Sequence, residues 1–228
     1  MTNTPDAVTA ATADLTLALL LATVRRLPQA EKSLRAGEFH GWGMWDYLGG
    51  DVTGATLGIF GMGRIGQAVA ERARPFGMRV QYTSRTPLSP EREAELGVTR
   101  VEWETLLTTS DILSLHAPLT PDTRHLVDAA ALGRMKQGSY LINTARGALV
   151  DEAALVEALR AGPLAGAGLD VFEREPALAP GLLDLPNVVL LPHIGSATPQ
   201  TRETMVVLAA RNVRAVLSGE PPLTPVTR

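Results

Sequence analysis

Apolar positions along the chain fall into one long run and six short ones. The long run, "LTLALLLATV" at Leu15–Val24, is apolar on every side of a helical wheel, which implies burial on several sides. It belongs to a helix predicted from Asp14, an N-capping residue type, to Gly37, a helix-stopping one, with a kink at Pro28. As a core helix it would be covered by its own chain; as a shared one, by a partner subunit. The next stretch, "FHGWGMWDYLGGDVTG", is rich in glycine and tryptophan and reads as a loop. Short apolar runs follow at 55–60, 78–83, 111–117, 139–145, 165–172 and 188–192, each of strand length. Helical patterns lie between most of them, at 64–75, 103–109, 128–136 and 151–161. In the last of these Asp151 caps, Leu155, Ala158 and Leu159 share a face, and Gly162 stops the helix. An amphipathic helix predicted over 199–218 precedes a proline-rich tail that is expected to fray. Strands alternating with helices, and apolar nearly throughout, imply the α/β class: a doubly wound parallel sheet with helices on both faces.

Composition narrows the function classes. With 228 residues, 45% hydrophobic and 20% charged, the chain can bury a substantial core as one large domain or two small ones. A net charge of −3 gives no general attraction for nucleic acid or an acidic membrane. There is no cysteine, which excludes disulfides, thiolate chemistry and cysteine-based zinc sites, and no metal is expected. Leu15–Val24 is too short to span a bilayer and is followed, not preceded, by Arg25-Arg26. A signal peptide is therefore not expected, and a cytoplasmic protein is.

Chemistry first shows at Gly61-Met62-Gly63-Arg64-Ile65-Gly66, which matches G-x-G-x-x-G. The pattern alone is weak, but here it follows a strand and opens a helix, the setting that dinucleotide binding requires. Gly61 would permit the tight turn, Gly63 the approach of backbone to a pyrophosphate, and Gly66 close packing of helix on strand. The helix N-terminus would offer N–H groups and a positive dipole end to the phosphates. The sheet is then Rossmann-like. An acidic residue about 20 positions further on would bind the ribose hydroxyls and repel a 2′-phosphate. The second strand ends instead in Ser84-Arg85-Thr86, and the first acid downstream is Glu91. A guanidinium and two hydroxyls suit a phosphate dianion, so NADP(H) is expected to be preferred over NAD(H).

Three more ionisable residues follow strands at the same end of the sheet: Arg146 after "SYLINTA", Glu175 after "AGAGLDVF" and His193 after "VVLLP". Singly each has an ordinary explanation, as a loop arginine, an exposed acid or a capping histidine. Together they match the needs of 2-oxo acid reduction. A histidine is the side chain whose ordinary pKa lies nearest working pH, so His193 would be the acid. Glu175 would favour the imidazolium and fix its ring, and Arg146 would grip the substrate's oxygens as a planar fork.

"HAPLTPDTRHLVD", "LINTARGALVDEAALVEAL", "AGAGLDVFEREP" and "LLPHIGSATPQTR" resemble the signature blocks of the D-isomer-specific 2-hydroxyacid dehydrogenases. The likeness extends over nearly the whole chain and is nearest to the glyoxylate and hydroxypyruvate reductase branch, in which a serine/arginine ending of the second strand also occurs. It implies that Arg146, Glu175 and His193 are the family's catalytic Arg, Glu and His. It further implies that Asp170 meets the nicotinamide amide, and that Thr144 with the "HAPLT" backbone lines the nicotinamide ribose. The cofactor set so implied adds His116, Ala117, Pro118, Thr123, Ala145 and Gly195 to the fingerprint and to Ser84, Arg85 and Thr86. The family resemblance also implies a homodimer, with helix 14–36 and the tryptophan loop as its interface and Trp42 or Trp45 reaching the neighbouring site.

The resemblance divides the chain into a remnant of the substrate domain at 1–13, a nucleotide-binding domain at 14–195 with dimerisation elements at 14–50, and a C-terminal helix at 196–228 returning to the substrate domain. Family members normally begin with a further segment the size of a small domain, and "MTNTPDAVTAATADL" resembles the middle of a "VTNTP" stretch with Met1 where valine is usual. The expectation is a fragment, or a GTG start read too late, that binds NADPH but reduces glyoxylate slowly. The alternative is a dinucleotide-binding module without turnover, such as a sensor or corepressor. A formate or phosphite dehydrogenase would share the fold but fits the Ser84-Arg85-Thr86 loop poorly.

Overall fold

Pro28 decides how the chain begins. A proline lacks the N–H for a helical bond and its ring collides with the carbonyl four residues back, here that of Val24. In the computed structural model, which describes residues 1–226, the first helix ends at Val24 accordingly. α1 runs Thr9–Val24 and α2 runs Leu27–Arg35, with Pro28 in the first turn of α2. Arg26 between them adopts a left-handed φ of 54°, and the Val24 carbonyl accepts from the Gly50 N–H at 2.9 Å. The expected single kinked helix from Asp14 to Gly37 is thus two helices. Asp14 does not cap: α1 starts ahead of it, and its carboxylate pairs with Arg72 at 2.6 Å.

Seven strands form one parallel sheet: β1 Thr56–Phe60, β2 Arg79–Thr83, β3 Val98–Arg100, β4 Ile112–Leu115, β5 Ser139–Asn143, β6 Leu164–Leu169 and β7 Val188–Leu190. Their order is β3-β2-β1-β4-β5-β6-β7. The winding reverses between β1 and β4, where Ile59 pairs with Ser114, and such a reversal opens a crevice beyond the strands' carboxyl ends. The remaining helices are α3 Arg64–Ala73, α4 Pro90–Leu96, α5 Trp103–Thr109, α6 Ala129–Arg134, α7 Glu152–Ala161 and α8 Pro199–Leu217. α4 and β3 did not show in the apolar pattern. α4 offers only Ala94 and Leu96 as apolar positions and β3 only Val98, too few to display a period, although Ser89 and Gly97 do cap α4.

Each face of the sheet carries its own core. Leu17 and Leu20 of α1 and Val69 of α3 pack with Ile59 and Tyr82 on one side; Leu106, Leu132 and Leu155 of α5–α7 pack with Leu113 and Leu169 on the other. Each such side chain fully withdrawn from water contributes about 1.5–3 kcal/mol. α1 lies on β5, β6 and β7 and against α3, so its apolar run is covered by its own chain. Apolar surface left uncovered begins next to it, on Leu27 and Leu34 of α2 and on Phe39, Trp42, Met44 and Trp45 of the following loop.

α8 buries only Asn212 and Ala215 and exposes Val206, Val213, Val216 and Leu217. The tail after it does not fray through residues 220–226. Asn212 holds Thr224 by its backbone N–H and its hydroxyl, and Thr2 bridges Pro225 in antiparallel fashion. The buried amide of Asn212 therefore ties the tail to α8, and Thr224 in turn bonds Asn3 at the N-terminus. Thr227 and Arg228, the end of the 196–228 segment, lie outside the described residues. Among the described residues no helix is long and apolar enough to cross a membrane.

Candidate active site

The loop after β1 is shaped by contacts that leave no room for side chains. Gly61 has φ 98°, and a Cβ there would lie 2.7 Å from the backbone of His116 and Ala117, where the loops after β1 and β4 cross. A Cβ on Gly66 would lie 2.1 Å from the Gly61 carbonyl oxygen, so the third glycine does set how closely α3 meets β1. Gly63 is different: a Cβ there would meet nothing within 4 Å. Gly63 is the N-cap of α3, and no capping side chain takes up the first-turn N–H groups, as an anion cradle requires. Arg64 beside it pairs with Asp6 at 2.7 Å, both side chains about two-thirds exposed.

Ser84, Arg85 and Thr86 leave the end of β2, with Arg85 and Thr86 exposed. Among the described residues Arg85 makes no ion pair, whereas nearby Arg92 is bound by Gln67, Glu71 and Glu95. Tyr82 fixes this loop: its hydroxyl accepts from the Leu88 N–H at 2.9 Å and donates to Glu93 at 2.6 Å. Burial and Glu93 push the hydroxyl above the usual tyrosine range, so it stays a donor.

Beyond β4, β5 and β6 lies a cleft of about 460 Å³, reached by Ile65, His116, Ala117, Pro118, Thr144 and Ala145, and by Asp170, Arg146, His193 and Gly195. Val8 and Met205 border it from the flanking segments. Thr123 steadies the "HAPLT" turn by donating to the Pro118 carbonyl at 2.8 Å and accepting from the Thr120 N–H at 2.8 Å. α1 supports the floor: Thr16 Oγ1 lies 2.8 Å from Thr144 Oγ1, and Thr12 donates to the Gly195 carbonyl at 3.2 Å. Asp170 is buried, and its two oxygens accept from Ile194 N–H at 2.7 Å and Gly195 N–H at 2.8 Å. Burial raises its carboxyl despite these bonds. Asp170 thereby holds the turn in which His193 adopts a left-handed φ of 55°, a conformation costly for a non-glycine residue.

His193 Nδ1 meets Glu175 Oε2 at 2.8 Å, and Glu175 Oε1 accepts from the Phe172 N–H at 3.0 Å. Burial pulls the Glu175 carboxyl upward. The His193 bond, the Phe172 N–H and the charges of His193 and Arg146 outweigh it, and the group lies below the usual carboxylate range. Arg146 is exposed at the cleft mouth, its turn pinned by Asn143, which accepts from Ala145 N–H at 3.0 Å and donates to the Arg146 carbonyl at 3.0 Å. His116 also faces the cleft, with Ser114 Oγ 2.8 Å from its Nε2, but burial pushes it down to about 4. Of the two imidazoles here, only His193 has a carboxylate partner.

The sequence-predicted residues therefore fall into three groups: the glycine loop after β1, the cleft with the Glu175 partner of His193, and the Ser84-Arg85-Thr86 rim beyond β2. Thr12, Thr16, Asn143 and Tyr82 were not anticipated. Their only signal is a polar side chain at an otherwise apolar position.

Residues 17–195 match the family model described as "D-isomer specific 2-hydroxyacid dehydrogenase, NAD binding domain". A glyoxylate reductase of Thermococcus litoralis is 52% identical over 226 residues, which are 97% of this chain and 68% of that protein. An NADPH-dependent glyoxylate/hydroxypyruvate reductase of Sinorhizobium meliloti, solved with NADP and malonate, superposes with a TM-score of 0.90 at 43% identity, covering 99% of this chain and 70% of the other. A D-mandelate dehydrogenase of Rhodotorula graminis superposes with a TM-score of 0.89 at 33% identity, covering 100% of this chain and 68% of the other.

Proposed function

The chain belongs to the D-isomer-specific 2-hydroxyacid dehydrogenase family, and on that premise we propose that it uses NADPH to reduce a small 2-oxo acid, glyoxylate or hydroxypyruvate, to the D-2-hydroxy acid. The observation that carries the reading is the 2.8 Å His193–Glu175 pair beside Arg146 at the mouth of a dinucleotide-type cleft. The bound nicotinamide would supply the hydride. His193 presents a proton to the substrate carbonyl oxygen, and Glu175 stabilises the imidazolium and fixes which ring nitrogen faces the cleft. Arg146, with five N–H donors and no competing carboxylate bond among the described residues, holds the substrate carboxylate and polarises the carbonyl. The fold does not choose the substrate, since a mandelate enzyme shares it. The choice of glyoxylate or hydroxypyruvate rests on the higher identity to the reductases. Loss of 340 nm absorbance on adding glyoxylate to chain and NADPH tests the proposal; NADPH binding with no turnover of either acid would overturn it.

The cradle at Gly61, Gly63 and Gly66 suits the pyrophosphate of either coenzyme, and Arg85, without an ion pair among the described residues, favours with Ser84 and Thr86 the 2′-phosphate of NADPH. Arg85→Ala should remove a charge-assisted contact of about 1.5–3 kcal/mol, roughly 10- to 150-fold in Kd for NADPH. NADH affinity should hardly change. Fluorescence titration with both coenzymes measures this, and equal affinities in the unmutated protein would refute the preference.

A homodimer formed through α2 and the tryptophan loop belongs to the same proposal. Leu27, Leu34, Phe39, Trp42, Met44 and Trp45 form an exposed apolar stretch of the kind that a self-complementary C2 interface covers. Light scattering at micromolar concentration should give twice the 24.2 kDa chain mass; a monomer would refute it. The division into a nucleotide-binding unit at 14–195 and flanking segments is also part of the proposal, and the pairing of residues 1–3 with 224–226 outside the sheet supports it.

A further inference from the structure

Behind the His193–Glu175 pair, the loop after β6 is gripped by a second carboxylate. Glu152 opens α7 and is only 5% exposed. Its Oε1 accepts from the Glu173 N–H at 2.6 Å and its Oε2 from the Ala179 N–H at 3.1 Å. Among the described residues it forms no ion pair, so two backbone N–H groups and the positive end of α7 are what offset the burial of its charge. An acid in a helix's first turn ordinarily faces solvent. This one points at residues 21 and 27 positions further along the chain. The two N–H groups it holds bracket Glu175.

Two further contacts join this point to the neighbouring loops. Glu173 accepts from Arg124 at 2.9 Å and lies 2.8 Å from His125 Nε2, both in the loop after β4. A Cβ on Gly147, next to Arg146, would lie 1.9 Å from the Phe172 carbonyl carbon. The loops that bear Arg146, Glu175 and the "HAPLT" turn thus meet at one place, and Glu152 is the buried charge there.

We propose that Glu152 is a positioning residue, which sets the Glu175 carboxylate against His193 by fixing both ends of the 173–179 loop. The proposal rests on the reductase reading above, in which that pair carries the proton. Glu152→Gln keeps one acceptor but turns an NH₂ group toward a backbone N–H, so one end of the loop comes free. In the NADPH-bound protein, kcat for glyoxylate should fall about 10- to 100-fold, the scale of a misplaced catalytic group, with NADPH Kd within twofold. The low-field proton resonance of the His193 ring N–H bonded to Glu175 should move upfield or broaden. Glu152→Asp keeps the charge but not the reach, and should change that resonance in the same way. Adding Glu152→Gln to Glu175→Gln should cost nothing further, since one acts through the other.

An unchanged His193 resonance in the Gln variant, or in the Asp variant if the Gln variant does not fold, would overturn the proposal, as would losses that multiply in the double variant. Absence of the resonance from the unmutated protein would do the same. Failure of the unmutated protein to reduce glyoxylate would strike the reductase reading instead, because the resonance needs no turnover.

Discussion

Replacing His193 by alanine is expected to lower kcat about 10²–10⁴-fold, the usual contribution of a positioned general acid, while NADPH affinity changes little. The other imidazole at the cleft cannot take over. Burial pushes His116 down to about 4, so at neutral pH it carries no proton to give as an acid, and Ser114 occupies its Nε2. Asp170 cannot take over either, since both its oxygens hold the turn that presents His193. Glu175→Gln should cost less, because it removes the group that stabilises the imidazolium but leaves the imidazole.

The pH dependence has a definite sign on the acid side. Glu175 ionises more readily in the folded protein than in the unfolded chain. Its pairing with His193 is fully present above the ordinary carboxylate range and is lost only as pH falls through the lowered value. The acid limb of activity due to Glu175 should therefore lie below the ordinary carboxylate range. Steady-state assays at 340 nm across pH would record both effects, and near-normal kcat in His193→Ala would remove His193 from its role.

Much of this was legible because the signals are local. A strand buried on both faces needs a continuous apolar run, and β1, β4 and β5 show it. Asp151 and Gly162 end α7 as capping chemistry requires, and Asp151 does accept from two first-turn N–H groups. Strand ends gather at one edge of a parallel sheet, so the closeness of Arg146, Glu175 and His193 could be read from their order alone. What was hidden depends on distance in space. Glu152 reads as an ordinary first-turn acid until its partners 21 and 27 residues away are known. Thr12 and Thr16 read as polar interruptions of an apolar helix, and only the fold puts them beneath Gly195 and Thr144. Pro28 was recognised as disruptive, but whether a proline kinks a helix or ends it depends on who takes the freed carbonyl, and Gly50 does.

Gly66→Ala should damage both the packing of α3 and the coenzyme site. The new carbon would lie 2.1 Å from the Gly61 carbonyl oxygen, and that oxygen is backbone, so no side chain can swing aside. Gly61 cannot retreat, because it is itself wedged against the backbone of His116 and Ala117. α3 must move instead, and with it Val69, Ala70 and Ala73, which are fully buried. Overpacking of this kind costs about 1–3 kcal/mol, or a few degrees in Tm. The same shift withdraws the first-turn N–H groups from the phosphates, so NADPH and NADH should both bind about 10- to 100-fold more weakly, at 1.4 kcal/mol per tenfold. Two companions separate the causes. Gly63→Ala meets no protein atom, and should weaken both coenzymes while leaving Tm unchanged. Arg85→Ala should weaken NADPH alone. Calorimetric Tm and coenzyme titration on all three variants give the pattern, and a Gly66→Ala protein with unaltered Tm and unaltered Kd would show that α3 is not held at β1 by this contact.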